Sequence, residues 1–107
     1  RVDLLTCRQL NTIITSGEQP VIIDVRRYSE WDEGHIGGAT HIYLGRLPGK
    51  LDEIPEGKTV VLQCKTGTRS SFAASILKKA GRTRVCNLLG GIDSWKKLGY
   101  PLVKDKT

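Results

Sequence analysis

Methionine is absent from the 107-residue chain, even at position 1, so a sequence that starts Arg-Val-Asp is expected to be trimmed or cut from a longer protein. Aromatic residues are scarce, at 6%. No apolar run approaches the roughly 20 residues of a membrane span, and none of the usual N-terminal signal patterns is present. No membrane partner is therefore expected. The cysteines number three, an odd count, and are widely spaced with no CxxC pair. That usage fits neither a disulfide framework nor a four-ligand zinc site, so no metal is expected. It suits a reducing, cytoplasmic compartment and leaves room for a working thiol.

What is present is enough for one folded domain. Apolar residues make up 38% of the chain, too many for a disordered tail, and the length matches a single core spanning 1–107. Seventeen Lys and Arg against eleven Asp and Glu leave a net charge of +6. The cations are scattered among acids, with only short pairs such as Lys78-Lys79 and Lys96-Lys97, and no aromatic interleaving suggests a stacking platform. A solvated surface explains most of this charge, and no nucleic-acid partner is expected.

Strand-like and helix-like segments alternate along the chain. Thr6 and Gln9 form a capping-box pattern, after which Leu10, Ile13 and Ile14 recur at helical spacing until Gly17. Val21 to Val25 reads as a buried strand. Ser29 is placed to cap a brief helix through Glu33, ended by Gly34. Ala39 to Leu44 is a weaker strand candidate, and Leu47 to Ile54, bracketed by Pro48, Gly49 and Pro55, allows only a short helix. Thr59 to Gln63 is a second buried strand. Ser70 to Ala80 is a helix whose apolar stripe is Phe72, Ala73, Ile76, Leu77 and Ala80, with Gly81 as its stop. Arg84 to Leu89 is a third strand, Gly90-Gly91 a turn, and Ile92 to Leu98 a last short helix. The alternation predicts a single α/β domain with a mostly parallel sheet flanked by helices.

The stretch richest in chemistry is Cys64-Lys65-Thr66-Gly67-Thr68-Arg69-Ser70-Ser71. It lies where a buried strand hands over to a helix, the place where open α/β sheets bind ligands. A lone cysteine at a strand end is ordinarily a small buried hydrophobe. Here three influences favour a thiolate: successive backbone N–H groups, the helix N-terminus, and the charges of Lys65 and Arg69. Gly67 permits the backbone conformation of a tight loop. Together they mark Cys64 as a nucleophile.

This loop resembles the active-site loop of the rhodanese family of sulfurtransferases. Other landmarks of that family stand in the expected order: Asp24-Val25-Arg26, Glu30-Trp31, Gly34-His35-Ile36-Gly37-Gly38-Ala39, and Asn87-Leu88-Leu89-Gly90-Gly91-Ile92-Asp93-Ser94-Trp95. The resemblance implies a small α/β domain with a central parallel sheet. It implies that Cys64 attacks the outer sulfur of an anionic donor such as thiosulfate and becomes a persulfide, cradled by the loop from Lys65 through Thr66, Gly67, Thr68 and Arg69 to Ser70. A thiol, a protein or cyanide then accepts the sulfur. No metal or organic cofactor is implied. The family also occurs fused to metallo-β-lactamase-fold persulfide dioxygenases and to flavin-dependent disulfide reductases, so a fused or partner enzyme is a further expectation.

Cysteine phosphatases use a similar cradle, but their usual pattern puts five residues between Cys and Arg and a His before the Cys. Here four intervene, Lys65 to Thr68, and Gln63 precedes. The shorter loop suits one sulfur better than a tetrahedral phosphate. A non-catalytic binding module is the third reading, although such copies commonly lose the cysteine. Asp24 and Arg26 are read as a brace holding the loops, and His35 as a structural histidine. His41 is a candidate base that transfer to a preformed thiolate does not require. Trp31 and Trp95 are read as core or rim aromatics, Trp95 being the better candidate for the pocket mouth. Cys7 and Cys86 are expected to be packing residues, with Cys86 as a resolving thiol the minor alternative.

Overall fold

The computed structural model describes residues 2–104. Five parallel strands form one sheet in the order β1-β5-β4-β2-β3: β1 Asp3–Leu5, β2 Val21–Asp24, β3 Thr40–His41, β4 Val60–Gln63 and β5 Val85–Leu88. The helices are α1 Cys7–Thr15, α2 Tyr28–Glu33, α3 Thr68–Lys79 and α4 Gly91–Lys97. Two 3-10 turns, Leu44–Gly49 and Leu51–Glu53, replace the short helix expected between the prolines and also take the end of the expected strand from Ala39 to Leu44. A ring at Pro48 and a glycine on each side leave too few consecutive donors for an α-helix.

β4 is the hinge of the architecture. All four of its residues are buried, as expected of a parallel strand covered on both faces. Alternation sends Val60, Leu62 and the following Cys64 to the face covered by Ala73, Ala74 and Leu77 of α3. Val61 points to the opposite face, where Cys7, Leu10, Ile92 and Trp95 of α1 and α4 pack. From β2 the chain moves outward to β3, and from β4 it moves the other way to β5. The loops leaving β2 and β4 therefore diverge, which opens a crevice at their carboxyl ends.

The α1 capping box forms as its sequence predicts: Gln9 N–H donates to Thr6 Oγ1 at 3.1 Å, and Thr6 N–H to Gln9 Oε1 at 2.9 Å. Three assignments change. Strand β1 is additional. It pairs with β5 through only three residues and exposes Leu4, so no apolar run announces it. Helix α2 starts at Tyr28, with Glu30 accepting from Arg27 N–H at 3.1 Å, so Ser29 lies inside the helix and does not cap it. In α3 the buried face is Ser70, Ala73, Ala74 and Leu77, whereas Ala80 is exposed and Phe72 is 64% exposed. The buried face keeps Ala73 and Leu77 of the expected stripe and is rotated from it toward Ser70 and Ala74.

That phase has a measurable consequence. Leu77→Ala is expected to lower stability by about 2–5 kcal/mol through loss of packing and a residual cavity. Phe72→Ala, a substitution at an exposed site, is expected to change it by about 0.5 kcal/mol or less. Urea denaturation of the two variants separates the assignments.

Candidate active site

Cys64 follows β4 directly and is 1% exposed, at the floor of the loop that leads into α3. Gly67 N–H donates to its sulfur at 3.1 Å and Ser70 N–H at 3.3 Å. Gly67 is the N-cap of α3 with φ at +112°, a conformation that side chains resist, so the inward turn of the amides depends on glycine there. The loop carbonyls face the other way. Ile92 N–H donates to Cys64 O at 2.8 Å and Asp93 N–H to Lys65 O at 3.0 Å, so the first turn of α4 holds them. Gly91 makes this approach possible: a Cβ on it would overlap Cys64 O and stand 2.7 Å from Lys65 O.

A second layer sits behind the sulfur. Ser70 Oγ lies 3.3 Å from Cys64 Sγ and 2.5 Å from Asn87 Oδ1, so its single proton serves Asn87 beside a thiol and the sulfur beside a thiolate, while Asn87 Nδ2 donates to Gly67 O at 3.2 Å. Asn87 on β5 thus fixes both Ser70 and the glycine turn. Gln63, where phosphatases carry a histidine, gives its Nε2 to Cys64 O and so addresses the backbone, not the sulfur.

The thiol pKa follows from this environment. Burial pushes Cys64 upward, but the hydroxyl of Ser70 and the amides of Ser70, Gly67 and Thr66 outweigh it, and the net shift is downward. Burial raises Cys7 and Cys86 with no such compensation. Cys7 gives its thiol proton to the carbonyls of Leu89 and Gly91. Cys86 packs on the α1 and α4 side of the sheet, opposite the face that holds Cys64. The sheet therefore separates the two thiols.

The two cations expected to bias the thiol are already engaged. Arg69 makes a bidentate pair with Glu30, Nη1–Oε1 at 2.7 Å and Nη2–Oε2 at 2.9 Å. Those bonds hold the Glu30 carboxyl down to about 2. Lys65 Nζ pairs with Asp93 at 2.9 Å on the surface. Hydrogen bonds from the loop lead the causes of the lowered thiol, with a coulombic coupling between Arg69 and Cys64 beside them. Thr66 and Thr68 are exposed.

Asp24 and Arg26 are buried against each other, with Arg26 Nη2 at 2.8 Å from Asp24 Oδ2 and also donating to Gly34 O at 2.8 Å. The pair ties the end of β2 to the end of α2, the helix that presents Glu30 to Arg69. His35 Nδ1 lies 3.0 Å from Trp31 O, and His41 Nε2 lies 2.6 Å from Arg26 O, so both imidazoles are engaged by backbone carbonyls. Trp31 stacks on both rings. Trp95 is buried and donates its indole N–H to Pro101 O at 2.8 Å, which removes it from the pocket mouth. Glu30, Asp93 and Asn87 are the neighbours of the loop to which sequence reasoning gives no role. Their partners are 39, 28 and 17 residues away, beyond any local spacing rule.

Excess positive charge gathers elsewhere. A cavity of about 480 Å³ is lined by Arg27, Arg46 and Lys50 with Tyr28, His41 and Tyr43, against the single carboxylate of Glu53. The tyrosines that look isolated in sequence are brought among cations here.

A family model described as the rhodanese-like domain matches residues 6–98. The chain belongs to the rhodanese-like domain family. It is 32% identical over 102 residues to a sulfurtransferase of Allochromatium vinosum, covering 95% of each chain. It is 40% identical over 99 residues to the probable adenylyltransferase/sulfurtransferase MoeZ of Mycobacterium tuberculosis, covering 91% of this chain but spanning only 25% of that relative. A crystal structure of a rhodanese-related protein from Thermoplasma volcanium superposes with a TM-score of 0.88 at 27% identity, covering 96% of this chain and 99% of the other.

The hydrogen bonds around the sulfur predict a pH effect of known sign. Because the folded pKa lies below the unfolded one, about 8.5, the thiolate contributes stability that is present above the unfolded value and lost as pH falls through the folded one. Under reducing conditions, wild type is expected to gain stability relative to Cys64→Ser as pH rises through that window, and then to plateau. Ser70→Ala should move the thiol pKa upward, read by ultraviolet thiolate absorbance.

Proposed function

We propose that the domain transfers sulfane sulfur, with Cys64 as nucleophile and persulfide carrier. The observation that carries this reading is the pairing of a nearly inaccessible sulfur with inward amides of Thr66, Gly67 and Ser70. Such a floor admits a single terminal atom and stabilises an anion on it, first a thiolate and then a persulfide. In the first half-reaction the Cys64 thiolate attacks the outer sulfur of an anionic donor such as thiosulfate, the bond to the leaving group breaks, and that group departs with the electron pair. In the second, a thiol, a protein or cyanide takes the sulfur and the thiolate returns. The cycle is covalent catalysis with ping-pong kinetics, and the lowered thiol pKa favours direct attack by the thiolate without a general base. Lys65, Thr66, Thr68 and Arg69 form the rim around that floor, and Asp24 and Arg26 brace it. A cytoplasmic, reducing setting suits a thiol that works alone.

A second reading draws on length: the chain spans a quarter of the MoeZ sequence that it matches. In that reading the domain is one part of a larger protein and relays sulfur to a fused or partner enzyme. A phosphatase reading is disfavoured because four residues, not five, separate Cys64 from Arg69, and Gln63 replaces the usual histidine.

Incubation with thiosulfate is expected to add one sulfur to Cys64, seen by intact-mass and peptide mass spectrometry, and cyanide or a thiol should remove it. Cys64→Ala should abolish the adduct, while Cys86→Ser should leave turnover intact. Hydrolysis of phosphate esters with Cys64 unmodified would instead establish the phosphatase. Partner binding that survives Cys64→Ala, with neither reaction seen, would establish an interaction module.

A further inference from the structure

Resting on the sulfur-transfer reading, the rim charges around the loop point to the class of donor. Both cations next to Cys64 are neutralised by carboxylates from other elements: Arg69 by Glu30 of α2, with side chains 32% and 24% exposed, and Lys65 by Asp93 of α4. Beside the loop lies a cavity of about 230 Å³ in which three cations, Arg26, Lys65 and Lys96, meet three carboxylates, Glu30, Glu33 and Asp93. The partner of Arg26 is the buried Asp24. The protein carries +6 overall, yet no excess positive charge faces this side of the loop.

Because the floor admits only the terminal sulfur, the remainder of any donor must sit in the rim. For thiosulfate that remainder is a sulfonate carrying most of a double negative charge, and it meets cations already paired with Glu30 and Asp93. To recruit Arg69 it would have to displace a bidentate, partly buried carboxylate that stays ionised at every ordinary pH. The remainder of a small thiol persulfide, R–S–SH, such as the zwitterion of cysteine persulfide, carries no net charge and needs no free cation.

We infer that the preferred donor is a small thiol persulfide, and that Glu30 and Asp93 select against dianionic donors such as thiosulfate. The step balances without an added oxidant or reductant. The Cys64 thiolate bonds to the sulfane sulfur, the S–S bond joining that sulfur to R–S breaks, and R–S⁻ leaves with the electron pair. It then takes up the proton that the sulfane sulfur carried, giving R–SH and the Cys64 persulfide anion.

The test compares cysteine persulfide with thiosulfate on the 107-residue chain, with rapid quenching and mass spectrometry to read the charging of Cys64 at low and high salt. The wild type should be charged faster by cysteine persulfide. Glu30→Gln and, separately, Asp93→Asn should each raise the thiosulfate-to-persulfide rate ratio by about three- to tenfold at low salt, an advantage that added salt erases. Asp93 is exposed, so its variant guards against a folding defect in the Glu30 variant. A wild-type preference for thiosulfate, or an unchanged ratio in Asp93→Asn together with a folded Glu30→Gln, overturns the inference while leaving sulfur transfer intact. If neither donor charges Cys64, the sulfur-transfer reading itself falls, and the donor assignment with it.

Discussion

The molecule is arranged around placing a thiol nearly out of water while lowering its pKa. Burial alone disfavours the charged form, so the site exists only because amide groups replace the lost solvent. Those amides can turn inward because something else takes their carbonyls, and the first turn of α4 does so by donating to Cys64 O and Lys65 O. The Lys65–Thr66 peptide is thus held from both ends. Asn87 adds a third hold through Ser70 and Gly67 O. The parallel sheet matters to function chiefly because it brings β4, β5 and the start of α4 to one edge, where these contacts can be made together.

Electrostatics around the loop divides into two scales. At contact distance, neutral dipoles stabilise the sulfur in a site that excludes water, where they are strong and need little reorganisation. One shell farther out, full charges occur in opposed pairs, Arg26 with Asp24, Arg69 with Glu30 and Lys65 with Asp93. These pairs also link elements: Arg69 fastens α3 to α2, and Arg26 fastens α2 to β2 through Gly34 O. The same residues therefore stiffen the loop and set the potential at its mouth.

Much of this was legible in the chain. The α/β alternation, the buried runs at β2 and β4, and the cysteine loop at a strand end are local patterns, and the structure follows them. The places where local patterns fail have physical causes. β1 is three residues long and half exposed, so its existence depends on the edge of β5 and not on its own hydrophobicity. Ser70 is polar yet fully buried because Cys64 and Asn87 surround its hydroxyl, and the buried face of α3 is rotated toward it. Lys65 and Arg69 look like free charges because their carboxylate partners arrive from helices distant in sequence. Trp95 looked suited to a pocket mouth, but Pro101 gives its indole a partner inside. Pairing across elements is the information that spacing along the chain does not hold.

The contact between Gly91 and the backbone of Cys64 and Lys65 bears on how such a domain can diversify. The floor of the site is mostly main chain, backed by the side chains of Ser70 and Asn87 and clamped where one glycine lets two backbones touch, so few side chains shape it. The rim is made almost wholly of side chains from Lys65, Thr66, Thr68, Glu30 and Asp93. Substitution can therefore rewrite what the site meets first while the chemistry underneath is inherited unchanged.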